Sequence, residues 1–376
     1  MAKPTSDKQG AFTSLKFSIF RNLIQILASP INNFNPKRSF FEEPHLRTHQ
    51  FPFVFNDSID SDLVLRDVGM SPVKPWTQDE KSTILALVSQ LSHCAPGLLR
   101  LASIGSPINL LRICRLVLGN KSEPIAFSGQ RTILLPDAFF FSYGQIHNFA
   151  HEITHIADDM ELAAFSKQWL EIAAPVLQEY RVNPQSIKDE AFSKTWPSEY
   201  ACHSVIEALA EYVAAFVNGR YFASKVKFEE TVAPLIISPT PMVNEWKVLV
   251  EKARQAKNAK NYIQARLYYR KASKLFPENP RTYFQLAGIA TTTADYCEIV
   301  KNTQKMIEAF EVVDSSRLLY PTMRDCILQI LKTYIQTQEF SGADKYAHWL
   351  LKRFPNDTTI LELEKYCQNK LLNSVE

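Results

Sequence analysis

The chain has 376 residues, enough for two or more compact units, and 46% of them are apolar, which supports a sizeable core. A net charge of +3 is too small to make nucleic acid the main partner, and ten glycines without a phosphate-cradling motif argue against a nucleotide loop. The six cysteines (Cys94, Cys114, Cys202, Cys297, Cys326 and Cys367) are scattered with no C-x-x-C pair, and read as reduced, mostly buried thiols of a cytoplasmic protein.

In chain order, Phe12, Leu15, Ile19, Leu23 and Leu27 recur at helical spacing, interrupted by Lys16, Arg21, Asn22 and Gln25. That stretch is too polar for a membrane span and lacks a signal-peptide core. It reads as a helix packed on the main domain, with a membrane-surface anchor as the alternative. Residues 28–58, rich in Pro, Asn, Asp, Phe and Ser, read as an irregular tether. A long helix is predicted after Thr77, because Thr77 followed three residues later by Glu80 has the form of a capping box. It would run through Ile84, Leu85, Leu87, Val88 and Leu91. Short β-prone runs at 115–118 and 131–135 are predicted strands. From Tyr143 an apolar stripe of Ile146, Ala150, Ile153, Ala157 and Met160 predicts a helix, and 204–217 predicts another.

Three prolines in residues 233–242 mark a predicted domain boundary, beyond which everything reads as helical. Ala253, Ala265, Tyr269, Ala272 and Pro277 fall at the small, aromatic and proline positions of a tetratricopeptide repeat. Thirty-four residues after Ala253 comes Ala287, flanked by Tyr283, Leu286 and Ala290, and Ala343, Leu350 and Pro355 repeat the second-helix pattern. Small residues let helices cross closely, and proline ends the second helix. The middle unit is about ten residues too long, so the array is degenerate. The expected fold is an α+β domain over 59–235, preceded by the helix and tether of 1–58. An all-α helical-hairpin repeat domain over 243–376 follows, making the chain mostly helical overall.

The chemistry concentrates in His151-Glu152-Ile153-Thr154-His155. Residues four apart on a helix share a face, so His151 and His155 can present two imidazoles to one ion. Glu152 lies about 100° further round, where it can reach a water on the metal. Neutral imidazoles suit zinc, and Glu152 would take that water's proton and pass it to a leaving amine. A catalytic zinc site needs a third protein ligand and an open position. Glu207 and Glu211 place two carboxylates on one face of an apolar helix; one is the natural third ligand, and the other orients a histidine or caps a neighbour. Asp158 either accepts a hydrogen bond from a ligand histidine or fixes the following loop. His147 reads as a rim histidine, His203 as a rival to stabilise an oxyanion, and Cys202 as a small buried hydrophobe.

This helix, with Ile156-Ala157-Asp158-Asp159 after it, resembles the active-site helix of the gluzincin metallopeptidases, and within them the anthrax lethal factor group. That group carries a Y-x6-E-x-x-A-E pattern, matched here by Tyr200, Glu207, Ala210 and Glu211. The resemblance implies that 59–235 is zincin-like, that Glu207 is the third zinc ligand, that Tyr200 donates its hydroxyl to the tetrahedral oxyanion, and that Glu211 supports the ligands from behind. It covers two short stretches within 143–217, and it departs from the group where Ile153-Thr154 replaces an aromatic-Gly or similar pair. In zincins the edge strand before this helix pairs with extended substrate, a role the similarity gives to 131–135 unless that run is an inner strand.

Eight Lys or Arg and no acid between Lys252 and Lys274 form either a solvated face or a dock for an acidic protein surface. The expected function is a zinc endopeptidase acting on a protein or peptide, with the repeats docking substrate or partner. The alternatives are an inactive metallopeptidase-like scaffold acting through its repeats, or a zinc amidohydrolase on a small amide. The lethal factor resemblance also raises an exported effector acting in a host cytosol as an alternative to a cytoplasmic peptidase.

Overall fold

The computed structural model describes residues 52–56, 73–114, 127–129, 131–188, 192, 196–220 and 224–373. The expected helix at 12–27 and the expected strand at 115–118 lie outside them. The described chain is mostly helical with one small sheet. No single described helix is long and apolar enough to cross a membrane.

Within the stretch expected to be a tether, Phe53–Asn56 forms strand β1, with Phe53 buried and Phe55 edge-on to Trp76 at 4.9 Å. Helix α1 (Gln78–Cys94) starts on the predicted capping box: Glu80 N–H donates to Thr77 Oγ1 at 3.2 Å, and Thr77 N–H donates to Glu80 Oε2 at 3.1 Å. Ile84, Leu87, Val88 and Leu91 are buried, whereas Leu85 lies off their stripe and is exposed. Helix α2 (Pro96–Ser103) opens on a proline, and β2 (Ile108–Arg112), β3 (Phe127–Gly129) and β4 (Thr132–Leu135) follow. The sheet order is β1-β2-β4-β3, parallel except for β3, which runs antiparallel to β4. β4 is therefore an inner strand, and β3 is the edge beside it. Arg131 stands outside β4 as a turn residue at φ 65°, and its guanidinium donates to the Ala102 and Ser106 carbonyls at 2.7 Å.

Arg112 ends β2 with a buried side chain. It meets Glu80 at 2.7 Å and also Asp137, which opens the short helix α3 (Asp137–Phe141). Burial opposes ionisation of Glu80, but the Thr77 N–H and the Arg112 guanidinium together hold it below the usual carboxylate range. One cation thus ties the start of α1 to the strand ends.

By its contacts the chain divides into two compact units, residues 1–157 with 213–220 and residues 158–212 with 221–376. That division falls away from the proline-rich 233–242, two of whose three prolines start helices. Pro234 opens α8 (Ala233–Ile236), and Pro241 opens α9 (Pro241–Asn258) after Thr240 caps it. In the second unit, Trp169 of α5 (Lys167–Val182) stacks on Trp196 at 6.0 Å and meets Tyr212 edge-on at 5.5 Å. Tyr212 lies on α6 (Val205–Val217), and Phe228 of α7 (Lys225–Thr231) closes this cluster 4.7 Å from it.

The remaining helices are α10 (Tyr262–Leu275), α11 (Pro280–Thr292), α12 (Tyr296–Val313), α13 (Tyr320–Gln336), α14 (Phe340–Arg353) and α15 (Thr358–Leu372). α9 packs with α10 and α11 with α12, and α5 packs on α12. Ala253, Ala265, Tyr269, Ala272, Ala287, Ala290, Ala343 and Leu350 are all buried, as close helix crossings require. Lys260, Ala294 and Gln338, at φ 59°, 51° and 64°, occupy the same left-handed position after the first helix of successive pairs. Lys260 and Ala294 are 34 residues apart, but Ala294 and Gln338 are 44 apart. The extra length lies in α12 and α13, with 18 and 17 residues against 14 and 13 in α10 and α11, and in a longer link.

An L-residue in the left-handed helical region costs about 1–2 kcal/mol, whereas glycine adds somewhat less than 1 kcal/mol of unfolded-state entropy. Relief of strain should win, so Ala294→Gly is expected to raise stability by about 0.5–1 kcal/mol in urea unfolding; a loss would contradict it.

Three of the eight residues of the basic run join neighbouring helices of this array. Arg266 pairs with Asp295 at 3.5 Å, Arg270 with Glu298 at 2.9 Å, and Lys257 donates to Gln285 at 3.1 Å. Lys252, Lys260, Lys271 and Lys274 are exposed.

Candidate metal centre

Helix α4 (Gln145–Ala157) is shorter than its apolar stripe: Met160 follows it in a turn, Tyr143 precedes it fully exposed, and Ile146 is half-buried. Its buried face is Phe149, Ala150, Ile153, Ile156 and Ala157, and it packs against α1, α2 and β3. The two residues that depart from the lethal factor pattern serve packing. Ile153 is in the core, and Thr154 is buried with its hydroxyl donating to the Ala150 carbonyl at 2.8 Å.

His151 and His155 face each other, Nε2 to Nε2, at 3.0 Å. Two nitrogens at zinc-bond length on a tetrahedral ion lie about 3.3–3.4 Å apart, so chelation needs only a small spreading of the rings. His151 and Glu152 are both buried, 6% and 7% exposed, and a buried carboxylate is costly unless it is paired. Glu207 sits in the first turn of α6, its N–H donating to Ser204 Oγ at 3.1 Å. The ligand atoms of His151, His155 and Glu207 all lie within 4.8 Å of one another, a group that could hold a metal ion.

The other candidates have different employment. Glu211, one turn after Glu207 and buried, accepts from Ser198 Oγ at 2.7 Å. Tyr200 opens a 3-10 turn (Tyr200–Cys202) and is half-exposed, with its ring 5.1 Å from that of His203. His203 is exposed, and its Nδ1 lies 2.8 Å from the Tyr200 carbonyl, within its own turn. Asp158 fixes the following loop, accepting the Ala163 and Ala164 N–H groups at 2.9 and 2.8 Å, while burial pushes its carboxyl up to about 7. His147 is half-buried in the first turn of α4. Cys202 is buried, and burial pushes its thiol up to about 12, which keeps it inert.

Sequence reasoning missed the turn that follows α4. Asp159 meets the buried Lys247 and takes Arg254 at 2.8 Å, and Arg254 also pairs with Glu251 at 2.6 Å. Burial opposes the Asp159 charge, yet these two cations hold its carboxyl below the ordinary range. Glu161, at φ 54°, pairs with Arg281, which also lies 5.4 Å over the Phe165 ring. Asn279 donates to the Met160 carbonyl at 3.2 Å. Three consecutive residues, beginning four positions after His155, are thus held by α9 and by the start of α11. Ser198 and Ser204, which position Glu211 and Glu207, were missed as well. A serine two or three residues before a functional side chain is the one signal that could have marked them. No family model, no curated protein and no solved structure matches this chain.

Proposed function

We propose that the chain is a zinc-dependent endopeptidase. The reading is carried by the convergence of His151, His155 and Glu207 around one point, with the buried Glu152 next to the first ligand. Two imidazoles and one carboxylate favour zinc over harder ions. Zinc held there would supply a water whose pKa is brought near 7. Glu152 would take the proton of that water at its carboxylate and pass it to the leaving amine. Tyr200 offers its hydroxyl to the oxygen that gains charge. An extended peptide would pair with the outer edge of β3, the sheet edge nearest β4 and the strand against which α4 packs. The helical repeats would dock the substrate protein or a partner.

The test is the full chain purified with zinc, its metal counted by elemental analysis, then incubated with a proteome-derived peptide mixture read by mass spectrometry. About one zinc per chain and reproducible cleavage are expected. Glu152→Gln should keep the zinc and lose about 100- to 10,000-fold in turnover, the usual scale of general-base loss. Zinc-free wild type, or cleavage undiminished in Glu152→Gln, would overturn the proposal.

A further inference from the structure

We infer that Ser198 is a positioning residue that locks the Tyr200 turn to the helix carrying Glu207; the inference rests on the peptidase reading above. A serine hydroxyl has one proton to give and lone pairs to receive, and here both uses are fixed. Ser198 Oγ donates to Glu211 Oε2 at 2.7 Å and accepts the Ala201 N–H at 3.2 Å. Glu211 is buried, so removing the hydroxyl that donates to it would leave a costly unmet acceptor.

The geometry makes this bond a link between two parts of one site. Glu207 and Glu211 lie one turn apart on α6, so any rotation or slide of that helix moves them together. Ser198 transmits the position of Glu211 to Ala201, the middle residue of the 3-10 turn that Tyr200 opens. The ends of the segment are fixed independently. Trp196 is buried against Trp169, and Ala201 and Cys202 are buried on the other side. Between those anchors Tyr200 is half-exposed, its ring 5.1 Å from that of His203. The serine holds the backbone of the turn that carries it. In this arrangement Glu211 is the fixed point from which Tyr200 is placed relative to Glu207.

The test compares Ser198→Ala, Ser198→Thr, Tyr200→Phe and the double variant Ser198→Ala/Tyr200→Phe, all as full chains loaded with zinc. The substrate is a peptide first found cleaved by the wild type in the proteome-derived mixture. Ser198→Ala should keep its zinc and its KM within about two-fold while kcat falls about 10- to 100-fold, the scale set by removing a supporting residue. Ser198→Thr, which keeps the hydroxyl, should restore most of it. The double variant should be no slower than Tyr200→Phe, because Ser198 acts through Tyr200; two multiplying losses would overturn the inference. A second readout needs no activity: amide hydrogen exchange across 200–203 should quicken in Ser198→Ala, and unchanged exchange would also overturn it. A wild type that cleaves no peptide sinks the peptidase reading and this inference together. A wild type that cleaves, matched by an equally active Ser198→Ala, sinks this inference alone.

Discussion

Glu207→Ala should leave the chain without its metal, whereas Glu211→Ala should keep close to one ion. Both carboxylates sit on the same face of α6, so spacing does not separate them; their partners do. Glu207 contributes its oxygen to the group formed with His151 and His155. Glu211 has an oxygen engaged 2.7 Å from the Ser198 hydroxyl. Loss of Glu207 leaves two imidazoles 3.0 Å apart, a bidentate site with no anionic ligand. Its affinity should fall by well over the about 10- to 100-fold that removal of an outer residue costs. Glu211→Ala should stay within that outer range. Titration with a chromogenic chelator gives both affinities, and elemental analysis after gel filtration gives occupancy. The reverse pattern would move the third ligand to Glu211 and detach the site from the Tyr200-to-Glu207 spacing.

Asp159→Ala should destabilise the protein by about 3–5 kcal/mol, the cost of removing one partner from a buried ionic group. Asp159 lies between Lys247, whose side chain is 1% exposed, and Arg254. Without the carboxylate the buried Lys247 loses that anion, while Arg254, 30% exposed, keeps Glu251 at 2.6 Å. The Lys74–Asp137 pair provides the contrast: its side chains are 41% and 39% exposed, and Lys74→Ala should cost less than about 1 kcal/mol. Urea unfolding of the two variants side by side decides the matter, and a loss below about 1 kcal/mol for Asp159→Ala would mean the cluster carries little of the fold. The same residues predict the behaviour of a fragment. A chain ending near residue 240 lacks Lys247, Arg254, Asn279 and Arg281, so 59–235 should not fold by itself.

What the sequence disclosed was local. The capping box of α1 involves two residues three apart, and both its hydrogen bonds form. His151 and His155 are four apart on one helix, so their convergence follows from the helical repeat. The alanines and Tyr269 of the repeats bury as their spacing requires. What stayed hidden depends on partners distant in the chain. β1 is four residues whose strand pairing is with Ile108–Arg112, and nothing in a Phe- and Asn-rich stretch announces that neighbour. β4 is inner because β3 lies beyond it, and the order of strands is a tertiary property. The prolines of 233–242 are equally at home in a linker and at the first turn of a helix, so their meaning depended on Thr240 capping α9. The choice between Glu207 and Glu211 likewise turned on Ser198, nine and thirteen residues away.

The clamp on the turn after α4 also sets an order of events during synthesis. Glu161 reaches its partner Arg281 only when another 120 residues have been made. At about 5–20 residues per second that delay is about 6–24 s. Both histidines are translated before it begins and Glu207 is added 46 residues into it, yet Arg281 of α11 is still to come for Glu161 until it ends. Completion of the turn after α4 is thus timed by the ribosome's arrival at the second pair of repeat helices, and a translation product interrupted between Glu207 and Arg281 would carry His151, His155 and Glu207 without the groups that steady that turn.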